Sequence, residues 1–306
     1  MRALLREKWP EQHGQEVSQT PFRIIIPAHN EEAVIARCLS AIIEDCPVDA
    51  GLEIVVVANG CDDLTAEIAR SFGDPVRVEE TQIASKTSAI NLGMSGAQGL
   101  PCLVMDADVK AGFDTLHATA LAVSSPDLTA ASPALAIDFT GVSSWVRSYY
   151  DVWTNLPYAR AKLIGGGVYG LSAEAVEALL PFPDVIADDL FVRTQIPFSH
   201  RQTVYQTREG NPAKVTMFPP RTARELVSIE ARRRRGTMQL KRHLGNGAKV
   251  EGNGLGPVLR ELGKSFGFAD LLRYATVKLA GRLLAIAHQA FGREHWDKDL
   301  SSRDAR

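Results

Sequence analysis

Short β-branched runs at 22–26, 53–57 and 102–105 alternate with segments of helical period near 31–45, 63–72, 86–97 and 114–124. This alternation limits the fold more than any other feature, because parallel strands need long crossovers and a helix is the usual one. It predicts an α/β domain with a mostly parallel central sheet flanked by helices. Extended runs near 129–137 and 166–171 are expected to finish the sheet, and the aromatic-rich stretch 142–162 to be helical.

Residues 1–20 are polar, contain Pro10 and Gly14 and hold no sustained period, so they read as a leader before a main domain at 21–220. After Pro219-Pro220 the pattern turns basic and helical over 221–243, and this part is still expected to contribute to the site. A Gly-rich connector from Gly245 to Gly256 then leads to a last helix near 268–291. The net charge of −2 conceals an asymmetry: 16 Lys/Arg against 27 Asp/Glu in 1–220, and 18 against 9 in 221–306. The last helix is apolar almost all round but is interrupted by Arg273, Lys278 and Arg282. Such a helix either lies in a membrane interface, its cations meeting anionic headgroups, or packs on the main domain. No run of eighteen apolar residues and no secretory signal core is present, so the chain is expected in the cytoplasm, free or on the inner face of the cytoplasmic membrane. Cys38, Cys46, Cys61 and Cys102 form no CxxC pair and read as reduced, mostly buried thiols.

In an open parallel sheet, ligands bind beyond the carboxyl ends of the strands. The first run leads into Pro27-Ala28-His29-Asn30-Glu31-Glu32, the second into Asn59-Gly60-Cys61-Asp62-Asp63, and 102–105 into Asp106-Ala107-Asp108. Alone, Asn30 or Asp62 reads as a helix cap. Together, polar residues at several strand ends favour a binding site on one rim. Asp106 and Asp108 can face the same side and suit Mg2+ or Mn2+, though a turn with solvated acids is the plain alternative. Lys86 and Asn91 open the preceding helix, where an exposed lysine is the simpler reading. Gly165-Gly166-Gly167 lets a ligand approach the backbone, or only makes a turn.

Asp188-Asp189 is a second acidic pair, set between apolar residues that favour a raised pKa of the kind a general base has. Adjacent residues point apart, so one acid is expected to reach a reaction centre and the other to orient or cap. A helix start charged for its dipole is the alternative. Arg232 and Arg235 share a helix face and can pair with phosphate oxygens, whereas Arg233 and Arg234 read as a solvated face. Nucleic acid is disfavoured, since no aromatics interleave with the cations and the main domain is acidic.

In this order the motifs resemble the large second family of glycosyltransferases, inverting enzymes with the GT-A fold. FRIIIPAHN at 22–30 with Glu31-Glu32 is similar to the family's opening strand and turn, and EIVVVANGCDDLT at 53–65 to its second strand and nucleobase loop. SKTSAIN resembles the Gly-Lys-x-x-Ala-x-Asn segment, DAD the metal motif, GGGVYGLS the acceptor-side strand, ADDL the pair containing the base, and RRRRG the Gln/Arg-x-x-Arg-Trp motif. Ala58-Asn59 stands for two aspartates, Ser85 for a glycine, Asp188 for a glutamate and Gly236 for a tryptophan.

The resemblance implies a GT-A, Rossmann-like domain with a basic helical C-terminal extension. It implies transfer of a sugar from a nucleoside-diphosphate donor to an acceptor hydroxyl with inversion. The acceptor would be a glycan or a lipid-linked molecule in cell-envelope or exopolysaccharide synthesis, met by a single-addition enzyme. Asp189 would be the base beside Asp188, with Arg232 and Arg235 on the diphosphate. Pro27, His29, Asn30, Glu31, Asn59, Asp62, Lys86 and Asp106 would seat the donor, Gly166 and Gly167 would line the acceptor side, and Asp108 with Asp106 would hold Mn2+ or Mg2+. The rival readings are a sugar-1-phosphate nucleotidyltransferase, whose Gly-rich first loop is missing here, and a non-catalytic scaffold on the same fold.

Overall fold

A computed structural model describes residues 20–245 and 265–290. The leader up to residue 19, the connector over 246–264 and residues 291–306 lie outside the described residues.

Strand β1 (Phe22–Ala28) is buried along its whole length, as expected of a central strand covered on both faces. Helix α1 (Ile35–Ile43) crosses to β2 (Leu52–Asn59), α2 (Thr65–Arg70) leads to β3 (Val76–Thr81), and α3 (Lys86–Met94) returns to β4 (Cys102–Met105). The strands are parallel in the order β3-β2-β1-β4, so the chain order reverses between β1 and β4. That reversal opens a crevice beyond the ends of those two strands. Strand β3, VRVEET, escapes a search for apolar runs because it is an edge strand and alternates charge with Val.

After α4 (Phe113–Val123) come β5 (Ala130–Ile137), α5 (Ser144–Thr154), α6 (Pro157–Arg160) and β6 (Val168–Leu171). The stretch expected to be one helix over 142–162 is split, because Pro157 disfavours helical backbone at the residue before it. Then follow α7 (Ala173–Leu179), α8 (Asp188–Gln195), β7 (Arg201–Val204), β8 (Lys214–Met217), α9 (Ala223–Leu244) and α10 (Phe268–Ala290). The sheet continues β4-β6-β5-β7, with β8 also on β5. Strand β6 runs antiparallel to both its neighbours, while β7 and β8 are parallel to β5. The sheet is therefore mostly parallel, with one reversed strand next to the crevice.

Alternate residues of β1 and β2 face opposite cores. Ile24, Ile26, Ile54 and Val56 meet Ile35, Cys38, Leu39 and Ile42 of α1, whereas Ile25, Val55 and Val57 meet Ala89, Ile90 and Met94 of α3. A third core joins Tyr149, Tyr150 and Trp153 of α5 to Leu226 of α9 and to Tyr274 and Val277 of α10. Helix α9 starts at a capping box made by Thr222 and Glu225. Helix α10 crosses it closely at Gly281, where a Cβ would stand 2.6 Å from the Cβ of Glu230.

Glu230 is buried there and accepts from Tyr149 Oη (2.5 Å), Lys278 Nζ (2.6 Å) and Arg233 Nη1 (3.1 Å). Burial alone would raise its pKa, but Lys278 and Arg233 outweigh it and hold the carboxyl below its ordinary range. Arg233 is more than a solvated cation: although partly exposed, it stands three residues from Glu230 on the same side of α9 and pairs with it. Arg234 is exposed. The last helix packs on α5 and α9 with one side and leaves the other exposed. Among the described residues no helix is long and apolar enough to cross a membrane. All four cysteines are free thiols; Cys38 and Cys102 are buried, Cys46 and Cys61 only partly.

Candidate active site

Strand β4 ends at Met105, and the Asp106 N–H still donates to Gly167 O (2.8 Å). Beyond it the chain turns, with Ala107 and Val109 buried and Asp106 and Asp108 partly exposed. Arg37 of α1 donates to Asp108 O (3.2 Å) and lies over the ring of Phe218 at 4.1 Å.

Helix α3 begins at Lys86, after a Ser85 cap whose hydroxyl accepts from Ser88 N–H. Lys86 is not an exposed surface lysine. Its ammonium stands 2.7 Å from Asp106 Oδ1 and 3.0 Å from Asp188 Oδ1. Burial opposes its charge, but the two carboxylates outweigh burial and hold its pKa above the ordinary lysine range. Asp188, the first residue of α8, is buried and accepts from Tyr169 Oη of β6 at 3.0 Å. Burial raises the Asp188 carboxyl, with Lys86 opposing and Asp189 and Asp106 adding to the rise. The Tyr169 hydroxyl is likewise pushed up, by burial and then by Asp188. A continuous polar chain, Asp106–Lys86–Asp188–Tyr169, therefore ties the ends of β4 and β6 to the starts of α3 and α8.

Asp189 points elsewhere. Its side chain is 39% exposed, with Arg193 of the next turn at 3.7 Å. Gly165, at φ +130°, passes so close that a Cβ would stand 2.7 Å from Asp189 Oδ2, so a glycine is what clears room for this carboxylate. Gly166 and Gly167 beside it are partly exposed.

The segment leading into α8 is clamped from two sides. Asn91 of α3 exchanges two hydrogen bonds with the Phe182 backbone (2.7 and 3.0 Å), and Ser85 Oγ donates to Asp184 (3.1 Å). From α9, Gln239 accepts from Ile186 N–H (2.9 Å) and donates to Asp184 O (3.0 Å). Gly236, where the resemblance leads one to expect tryptophan, lies against this segment. A Cβ there would meet Ala187 Cβ at 3.1 Å and Ile186 Cβ at 3.2 Å, so the helix packs with its backbone against this segment. Arg232 and Arg235 flank this contact on α9 and are partly exposed.

At the β1 and β2 ends, His29 Nδ1 lies 2.6 Å from Asn59 O. Asn59 is buried and donates to Ala28 O (2.9 Å) and Val57 O (3.3 Å), stapling the two strands. Asn30, at φ +51°, accepts from Asp62 N–H at 2.8 Å, while Glu31 is buried and its N–H donates to Thr65 Oγ1 at 2.7 Å. Neither Asn30 nor Asp62 caps a helix: the N-cap residues of α1 and α2 are Val34 and Leu64, and neither makes a side-chain cap bond. Pro27 and Asn59 are thus buried at the ends of β1 and β2, while His29 and Asn30 are partly exposed and Asp62 is exposed just beyond them.

The pair Asp106 and Asp108 offers hard oxygen donors from one loop, and among the described residues no group of three or more His, Cys, Asp or Glu could hold a metal. Such a pair fits a divalent cation that draws further ligands from substrate phosphates. Tyr169, Ser85, Arg193 and Gln239 were not singled out by sequence reasoning. Tyr169 and Ser85 meet partners 19 and 99 residues away, and no local pattern announces such contacts.

An open, mostly parallel sheet with this acidic rim at its switch point defines a GT-A fold of the glycosyltransferase kind. Residues 23–170, just under half of the chain, match the family model described as Glycosyl transferase family 2. Mannosyltransferase PcManGT from Pyrobaculum calidifontis, solved with GDP-Man and Mn2+, superimposes with a TM-score of 0.56 at 22% identity, over 89% of this chain and 79% of that one. Glucosyl-3-phosphoglycerate synthase from Mycobacterium tuberculosis, solved with Mn2+, UDP and glucosyl-3-phosphoglycerate, gives 0.52 at 15% identity, over 76% and 85%. These likenesses establish the fold. By sequence, glycosyltransferase AglE of Haloferax volcanii is 34% identical over 97 residues, 30% of this chain and 32% of AglE, so the match spans about a third of that relative.

Proposed function

We propose that the chain transfers a sugar from a nucleoside-diphosphate donor to an acceptor hydroxyl with inversion at the anomeric carbon, in cell-envelope or exopolysaccharide glycan synthesis. The observation that carries this reading is the ammonium of Lys86 bridging Asp106 and Asp188, which draws the loop of the Asp-x-Asp pair and the start of α8 together. The GDP-Man named with one solved relative, the UDP named with the other and the Mn2+ named with both support a nucleoside-diphosphate sugar and a divalent cation.

In this reading Asp189 takes the proton of the acceptor hydroxyl as its oxygen attacks the anomeric carbon and the diphosphate leaves from the opposite face. Asp189 suits the task because it is the accessible member of its pair, with Gly165 leaving space beside it. Asp188 fixes the start of α8 through Lys86 and Tyr169. His29, Asn30, Glu31 and Asp62 shape the seat for base and ribose, and Arg232 and Arg235 approach the diphosphate from α9. Asp108 with Asp106 would hold Mn2+ or Mg2+, which when bound supplies electrophilic stabilisation of the leaving diphosphate.

The test is a panel of nucleotide sugars with Mn2+, following thermal protection and slow donor hydrolysis. One or a few donors should protect the protein in a metal-dependent way and release nucleoside diphosphate. Release of pyrophosphate would favour the nucleotidyltransferase reading, and no metal-dependent nucleotide binding at all would leave the scaffold reading.

A further inference from the structure

Helix α10 has two apolar sides, and the fold uses only one. Tyr274, Val277, Gly281 and Ala285 are buried against α5 and α9. On the opposite side Phe268, Leu272, Leu279, Leu283 and Ile286 are between 53% and 82% exposed. At 100° per residue these five fall within an arc of about 60° and form a ridge about 27 Å long. The remaining exposed positions of the helix, Ala269, Thr276 and Gln289, carry no charge. The outer face of a helix in a soluble protein is ordinarily its polar face, and a contiguous apolar ridge of this length marks a contact surface.

Charge identifies the occupant. Helices α9 and α10 together carry ten Lys/Arg against three Asp/Glu, whereas residues 1–220 have a net charge of −11. Although Lys278 and Arg233 are spent on Glu230 and Arg273 on Asp270, Arg224, Arg234, Lys241 and Arg242 stay exposed. Arg282 borders the ridge, three residues after Leu279 and four before Ile286, and α9 ends on exposed Lys241, Arg242 and His243. A second copy of the chain, ridge to ridge, would set this cationic layer against itself. An anionic bilayer instead offers headgroups to the cations and an apolar layer to the ridge along its whole length. We infer that the outer face of α10 seats the protein on an anionic membrane surface, lying in the interface without crossing it. The two alternatives that the sequence left for this helix then describe its two sides.

The test uses the full chain with vesicles of phosphatidylglycerol and phosphatidylcholine, or of phosphatidylcholine alone, in a flotation gradient at low and high salt. The protein should float with the anionic vesicles, less so at high salt, and a Leu279→Glu/Leu283→Glu variant should lose about tenfold or more of the bound fraction. Both positions are exposed, so the variant should melt with the wild type. Wild-type protein that stays with the free fraction on anionic vesicles at low salt, or a variant that floats equally well, overturns the inference. So does a wild-type dimer that the variant converts to monomer while neither floats. Vesicle binding is read without donor or acceptor, so this result is independent of sugar transfer.

Discussion

Replacing Lys86 by methionine keeps most of the aliphatic stem and removes the ammonium shared by two acids. Asp106 is 37% exposed and can turn to water, so its share of the loss is discounted. Asp188 is only 4% exposed along its side chain and keeps just the Tyr169 hydrogen bond. Removing one partner of a buried pair costs about 3–5 kcal/mol, and the retained bond favours the low end, about 3 kcal/mol. At about 2–4 °C per kcal/mol for a domain of this size, melting should fall by about 6–12 °C. The sign with pH follows from Asp188. Its carboxyl already sits above the ordinary range, and without Lys86 it rises further, so the folded variant holds a proton that the unfolded chain has released. The variant's stability is then fullest below the ordinary carboxyl pKa and is lost as pH climbs through the folded value. Circular-dichroism melts at about pH 5 and about pH 8 should show the larger deficit at the higher pH. Adding Asp188→Asn should recover most of the loss, because no buried charge then remains unpaired. A deficit below about 1 kcal/mol, or one equal at both pH values and unrelieved in the double variant, would refute the bridging role.

Asp189→Asn should leave donor protection near normal and cut turnover by about two powers of ten or more; wild-type rates would remove it from the role of base. Gly165→Ala places a Cβ 2.7 Å from Asp189 Oδ2, so it should lower turnover more than melting temperature, measured side by side. Gly236→Trp should destabilise by about 1–3 kcal/mol in denaturant titrations, since Ala187 and Ile186 already lie at contact distance from its Cβ. Lys278→Met removes the cation that most strongly holds the Glu230 carboxyl down. That stabilisation is present above the ordinary carboxyl pKa and lost as pH falls through the lower folded value, so the melting deficit should be clear at neutral pH and fade in acid.

The parallel half of the sheet and the rim at its strand ends were legible because both have local causes. Crossover helices follow from alternating periods, and Asp106 and Asp108 follow directly on an apolar strand. The reversed direction of β6 was not legible, since VYGL reads identically either way and only its neighbours β4 and β5 set its sense. The ion pairs of Lys86 are not legible for a related reason: nothing near it in sequence announces Asp188 about a hundred residues on. Asn30 and Asp62 have the composition of caps, yet the Asn30 side chain is spent on accepting from the Asp62 backbone N–H across two loops. Arg233 looked like its neighbours in an arginine run until Glu230, one turn back, paired with it.

The core shared by α5, α9 and α10 has a practical meaning for anyone shortening this chain. A cut after residue 244 would strip Tyr274 and Val277 from Tyr149 and leave Glu230 without its lysine. The product would display aromatic surface and an interior carboxylate held only by Tyr149 and Arg233, and it should precipitate on expression. The C-terminal helix is structural ballast for the half of the molecule that carries Asp189, and any trimmed version should keep it.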